Sequence, residues 1–477
     1  MWSRRAVLLG ASAAALAPEA WSTPVGALSG DIAILREAYE TLHPGLYRYT
    51  TPREMNARFD ALARAWSRPQ TRAEAYLSLS RFLTTVKCGH TYANFYNQSE
   101  AVQAELFDTQ RLLPFQFAWI DERMVVLANQ SSDPRLARGA QILSVDGRST
   151  RSILRALMPY ARADGGNDAK RRALLEVRGF DRYETFDVFY GLMFRLGAQV
   201  RLRVRPPGAA RAETFDAPTI DLSTRRALLV TAPAENGAVW TLSYPRPEIA
   251  LLTMPDWALY DSDWDWRGFL DQSFAEIAAR GVTKLIVDIR GNEGGLDCGD
   301  LITARLSDAP IAREGYARRT RYRQTPERLN PYLDTWDRSF RNWGDDAVAR
   351  EDGFYDLRDE RGADQIAPLE PRFRGDVDVL IDSQNSSATF QFANCIKSNR
   401  LGRLIGAATG GNQRGINGGA FFFLRLPASG LEADLPLIAR FPLTPKPDAG
   451  IAPDVEIELT REDIAAGRDA ALEYAMG

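Results

Sequence analysis

The stretch Leu285-Ile-Val-Asp-Ile-Arg-Gly-Asn-Glu-Gly-Gly295 constrains the fold more than any other in the chain. An apolar run without alternation has no solvent face, so it reads as a strand buried on both sides, inside a sheet covered by helices. It runs straight into a polar loop with paired glycines, whose backbone can turn N–H groups into a pocket. A purely structural turn would use the same glycines. Around it, residues 249–254, 377–381 and 404–406 read as further strands, while Phe269, Leu270, Phe274 and Ile277 face one side of a helix. Residues 388–397 read as another helix. This alternation predicts a mixed or parallel sheet with flanking helices. An Arg-, Tyr- and Trp-rich insertion of weak periodicity, 307–374, interrupts it.

The 477 residues are too many for one ordinary core. Residues 35–86 read as helical. Thr51-Pro-Arg-Glu54 and Thr71-Arg-Ala-Glu74 are capping boxes, and Met55, Phe59, Leu62 and Trp66 recur on one face. From Leu113 the texture changes to short strands at 115–119, 124–127 and 142–145, the last ending in an Asp146-Gly147 turn. A partly helical insert, 153–196, precedes a final strand at 200–204. This stretch resembles the second half of a PDZ domain, a module that binds peptide ends by strand addition. Pro206-Pro-Gly208 opens a linker. The expected layout is a leader at 1–27, a helical domain at 28–100, a PDZ-like domain at 110–207, a linker at 208–236 and an α/β core at 237–470.

Composition narrows the function classes. Hydrophobic residues are 45% and charged residues 25% of the chain, as in a soluble globular enzyme. A formal net charge of −3 gives no overall reason to bind nucleic acid or anionic membrane. Ser3-Arg-Arg5 precedes an uncharged run over 6–17, followed by small residues up to Ala27. That pattern reads as a secretory signal of twin-arginine type, too short for a permanent membrane anchor. It predicts export to the periplasm or the extracellular space. Three cysteines, Cys88, Cys298 and Cys395, permit at most one internal bridge. Each is either a small buried hydrophobe or, if a bridge forms, a partner in one that includes Cys88. With two histidines and no Cys-x-x-Cys pair, a zinc site is not expected.

Two further segments carry candidate chemistry. Asp382-Ser-Gln-Asn-Ser-Ser-Ala388 lies between a strand and a helix. One serine can cap the helix while the other projects beside free N–H groups able to hold an oxyanion. Cys88-Gly-His-Thr91 ends a helix and supplies a histidine. The other histidine, His43, sits in Leu42-His-Pro-Gly45, which reads as a helix-ending turn.

Taken together, these segments resemble the C-terminal processing (tail-specific) serine peptidases in order and spacing. Asp288-Ile-Arg-Gly-Asn-Glu-Gly-Gly295 is similar to their D-[LI]-R-x-N-x-G-G signature, and Ser387-Ala-Thr389 to their nucleophile segment. Gly406-Ala-Ala-Thr-Gly-Gly411, Gly450-Ile-Ala-Pro-Asp454 and Gly89-His-Thr91 match later and earlier elements. The resemblance implies a multidomain α/β chain with a helical N-terminal domain, a PDZ-like module and a crotonase/ClpP-like core. It implies Ser387 as nucleophile, with Ala388 and one of Gly294 or Gly295 as oxyanion donors. Asn412 stands where one branch of the family carries its catalytic lysine, and no lysine occurs between Lys397 and Lys446. The resemblance therefore points to the tricorn-like branch, with His90 as base and Asp448, slightly out of register, as the acid. It implies a peptide or unfolded-protein substrate and no metal or organic cofactor. The alternative is an inactive peptide- or ligand-binding protein on the same scaffold.

Overall fold

The computed structural model describes residues 24–25, 28–230, 237–312, 315–358 and 365–477. The leader read at 1–27 lies outside them, apart from the short strand Pro24–Val25. Three helices follow, Ser29–Leu42, Pro52–Trp66 and Arg72–Thr84. Both capping boxes close as the sequence predicts. The Thr51 hydroxyl accepts the Glu54 N–H at 3.2 Å, and Glu54 accepts the Thr51 N–H at 2.8 Å. Thr71 and Glu74 repeat the exchange at 3.2 and 2.7 Å.

Three short helices bury too little apolar surface to stand alone, and these do not. Leu35, Phe59 and Leu79 share one continuous core with Phe117 and Val204 of the next sheet and with Phe422 and Leu435. That sheet runs Phe115–Ile120, Arg123–Asn129, Gln141–Val145, Gln199–Arg205 and Glu213–Pro218, neighbour to neighbour and antiparallel. The last strand corrects the expected linker over 208–236. Phe215 and Ala217 alternate inward, so Glu213–Pro218 pairs along Gln199–Arg205 instead of hanging free.

The core sheet has six strands in the order Val455–Glu456, Arg403–Gly406, Asp376–Ile381, Lys284–Asp288, Ile249–Thr253 and Thr241–Arg246. The first five are parallel, and the Thr241–Arg246 edge is antiparallel. Leu285, Ile286 and Val287 are fully buried, as an unalternating run requires. Helices Trp266–Ala279 and Ser387–Ser398 pack on the same apolar cluster.

The insertion at 307–374 is not an appendage. Its strands Tyr316–Thr320, Leu333–Asp334, Ala347–Ala349 and Tyr355–Leu357 join the long hairpin Asn417–Leu426 and Leu431–Pro442 in a second six-stranded sheet. Short strands paired to distant residues leave little periodic signal, which explains the weak pattern. None of the three cysteines forms a disulfide: Cys88 and Cys298 are buried in different clusters, and Cys395 is partly exposed.

Candidate active site

The strand Asp376–Ile381 enters helix Ser387–Ser398 through a turn locked by Asn385. The buried Asn385 amide donates to the carbonyls of Ile289 and Asn292 at 2.5 and 3.0 Å, and its Oδ1 accepts the Asp382 N–H at 2.8 Å. Thr389 Oγ1 adds a bond to the Asn292 carbonyl at 2.9 Å. The glycine loop and the serine turn are therefore stitched into one unit.

The two serines separate cleanly. Ser386 is extended, with φ −140°, and its hydroxyl donates to the Glu293 carbonyl at 3.1 Å. Ser387 has φ +53°, in the left-handed region that a non-glycine residue occupies at a cost of about 1–3 kcal/mol. Such a strained strand-to-helix turn lifts a side chain out of the backbone, as in a nucleophile elbow. Ser387 is partly exposed, and its hydroxyl makes no hydrogen bond among the described residues.

Helix geometry leaves the first N–H groups without acceptors, and the first to bond back here is that of Thr389, at 3.2 Å to the Ser386 carbonyl. The Ala388 N–H is thus unclaimed. Gly294 lies against it: a Cβ there would sit 2.8 Å from both the Ala388 nitrogen and the Ser387 Cβ. The Gly294 N–H, however, already donates to Asn292 Oδ1 at 2.9 Å. Gly295 has φ +141°, and a Cβ on it would meet the Trp257 carbonyl oxygen at 2.1 Å. Its N–H has no backbone acceptor among the described residues. Both positions demand glycine, but only Gly295 keeps a free donor.

A layer of charge backs this loop. Arg162 pairs with Glu293 at 2.7 Å, and Lys170 pairs with the other carboxylate oxygen while donating to the Gln384 carbonyl at 2.7 Å. Burial alone would raise the Glu293 carboxyl, but the two cations outweigh it and hold it down to about 2. Burial lowers the Lys170 ammonium, opposed by Glu293. A distant lysine does reach the site, yet it is committed to this pair. Lys397 points away, bonded to the Ala452 carbonyl at 2.6 Å. Lys170→Met should destabilise the protein by about 3 kcal/mol, because Glu293 loses half of its compensation. Urea unfolding measures this, and an unchanged midpoint would show that Arg162 suffices.

The two histidines also divide. His43 is buried, accepts the Gly45 N–H on Nδ1 at 3.0 Å and meets Thr91 Oγ1 through Nε2 at 2.8 Å. Burial pushes it down to about 3, so it stays neutral. His90 is half-buried, with Nδ1 sealed from solvent and unpartnered. Burial lowers its pKa, opposed mainly by Asp164. Glu293, whose carbonyl holds Ser386, also acts on His90, so the histidine and the serine turn flank the same loop.

Asp448 lies next to this group, its carboxylate accepting from Asn412 at 2.6 Å and from the Gly166 N–H at 3.0 Å. Those bonds outweigh burial and lower its pKa. The acid beside His90 is Asp164, 2% exposed, which accepts the Gly89 N–H at 2.9 Å. Burial raises the Asp164 pKa, and His90 is the largest opposing influence. Sequence reasoning missed Asp164, Arg162 and Lys170 because they sit in the insert at 153–196. The string Asp164-Gly-Gly-Asn167 is a turn signal, but nothing local in it says which cleft it enters.

Ala388 also lines a pocket with about 60 Å³ of free space, together with Thr303, Ile366, Phe390, Cys395 and Ile416. Among the described residues there is no His/Cys/Asp/Glu group able to hold a metal, and no helix long and apolar enough to cross a membrane.

Residues 248–422, which contain the glycine loop and the serine turn, match the model of peptidase family S41. Over that segment the chain is similar to the S41 peptidases. Among solved structures, mature CPAF in complex with lactacystin matches at TM-score 0.65 and 15% identity, over 94% of this chain and 97% of that one. Mature CPAF without that ligand matches at 0.64 and 15%, over 94% and 95%. The photosystem II D1 C-terminal processing protease aligns over 94% and 99% at 15% identity, with a TM-score of 0.42. At such identities the CPAF likeness is one of fold. No curated protein matches the chain.

Proposed function

We propose that the chain is an exported peptidase that cleaves peptides or unfolded protein ends through an acyl-enzyme on Ser387. The observation that carries this is the left-handed Ser387 at a helix start, its hydroxyl unclaimed, beside the free Ala388 N–H and against Gly294, with the free Gly295 N–H next in the same loop. His90 Nε2 takes the proton from Ser387 Oγ as the Oγ–C bond forms, and passes it to the leaving amine as the C–N bond breaks. Water then hydrolyses the ester by the reverse proton path. The Ala388 and Gly295 N–H groups hold the oxyanion, each worth about two to three orders of magnitude in rate. Export rests on the leader alone.

On this reading the orienting acid is Asp164 in place of Asp448. His90 Nδ1 is sealed and unpartnered, and the buried Asp164 carboxylate is held by the N–H of the preceding Gly89, so the two supply the donor and acceptor of the bond that fixes the catalytic tautomer. Asp448 stands a step behind, since the Asn412 amide bridges its carboxylate and the Asp164 carbonyl. Asp164→Asn should lower kcat by about 10²- to 10⁴-fold, and Asp448→Asn by about tenfold or less. The reverse order would return the acid to Asp448. A fluorophosphonate probe tests the whole scheme: it should label Ser387 and no other serine, whereas an inactive binding protein would remain unlabelled.

A further inference from the structure

A row of aromatic rings leads from His90 to the surface. The His90 ring lies 5.6 Å from that of Phe421, and Phe421 lies 5.9 Å from Trp336. Trp336 also touches Phe423 at 5.8 Å and Phe340 at 5.4 Å, yet remains 61% exposed. Two chain segments far apart build this row. Phe421 and Phe423 project from the outer face of strand Asn417–Leu426, and Trp336 follows Leu333–Asp334, which pairs with Leu424 and Phe423. The register of the hairpin slips between Gly418 and Phe421, and Gly419 stands exposed at the slip, so the strand opens beside His90.

An exposed tryptophan held by three other rings is rigid apolar area offered to a partner. Its place relative to the chemistry selects the partner. Because the base hands its proton to the departing amine, the leaving half of a substrate runs past His90. Two ring-to-ring steps beyond it match the reach of two or three extended residues. We propose that Phe421, Phe423, Phe340 and Trp336 form a shelf that binds an apolar or aromatic side chain two or three residues after the scissile bond. The shelf rests on the peptidase reading with His90 as base, and it adds a specificity determinant on the leaving side. It takes no part in the bond-making step, so Trp336 acts on substrate choice and not on the reactivity of Ser387.

The test is Trp336→Ala against wild type, using a peptide library made by digesting a bacterial lysate, with cleavage sites read by mass spectrometry. Wild type should favour Phe, Tyr, Trp or Leu at the second or third position after the cut. The variant should lose that preference by about tenfold while cleaving sites with polar residues there at the wild-type rate. Fluorophosphonate labelling of Ser387 should proceed equally in both. No preference in wild type, or the same preference in both, overturns the shelf, as does a matching fall in labelling, which would reveal a structural role. Failure of the wild-type protein to label would instead overturn the peptidase reading, and the shelf with it.

Discussion

Ser387→Ala should lower peptide hydrolysis by roughly five to six orders of magnitude while leaving the unfolding midpoint within about 2 °C of wild type. The activity loss follows from removing the unclaimed hydroxyl beside the free Ala388 N–H. The stability is spared because that hydroxyl makes no hydrogen bond among the described residues, so nothing is left unsatisfied. Ser387→Gly sharpens the case. Glycine accepts φ +53° without strain, so this variant should be equally inactive yet more stable by about 1 kcal/mol. Ser386→Ala should do the opposite: it loses the bond to the Glu293 carbonyl, about 1 kcal/mol, and keeps most of its activity. An active Ser387→Ala with a dead Ser386→Ala would move the nucleophile by one residue.

His90→Ala should lower kcat by roughly four to six orders of magnitude, the residue being the oxyanion donors' contribution. His43→Ala serves as the contrast. Both His43 nitrogens are engaged in a buried turn, so its loss should appear as about 2–4 kcal/mol of stability in urea unfolding. The pH profile carries a signed expectation. Burial lowers the His90 pKa, so the neutral, proton-accepting form persists below the ordinary histidine value of 6.5. Activity should therefore fall on acidification with an acid limb below pH 6.5, and His90→Ala should lose that limb. A limb at or above the ordinary histidine range would mean that Asp164 outweighs burial in the working enzyme. Full activity in His90→Ala would remove the histidine as base.

Local chemistry made parts of this protein legible in one dimension. The capping boxes at Thr51 and Thr71 act within four residues, and both form as read. The run Leu285-Ile-Val needs two covered faces, and its strand lies inside the parallel sheet. Conversely, Glu213–Pro218 read as linker because a short edge strand is recognisable only beside its partner. Strands Tyr316–Thr320 and Leu333–Asp334 of the insertion escaped for the same reason: their pairs, such as Tyr316 with Pro442 and Asp334 with Phe423, join residues far apart in the chain.

The sequence by itself determined the strand-and-glycine loop, the serine turn, the candidate histidine and the absence of a lysine where another branch has one. Each depends on residue type and near neighbours. Tertiary structure decided which serine projects, through a φ of +53° that no composition announces. It also decided between the glycines, because Asn292 occupies only one of their N–H groups. Finally, it brought Asp164, Arg162 and Lys170 from a distant insert against His90 and Glu293. Charges act through space and burial, and neither distance is written along the chain.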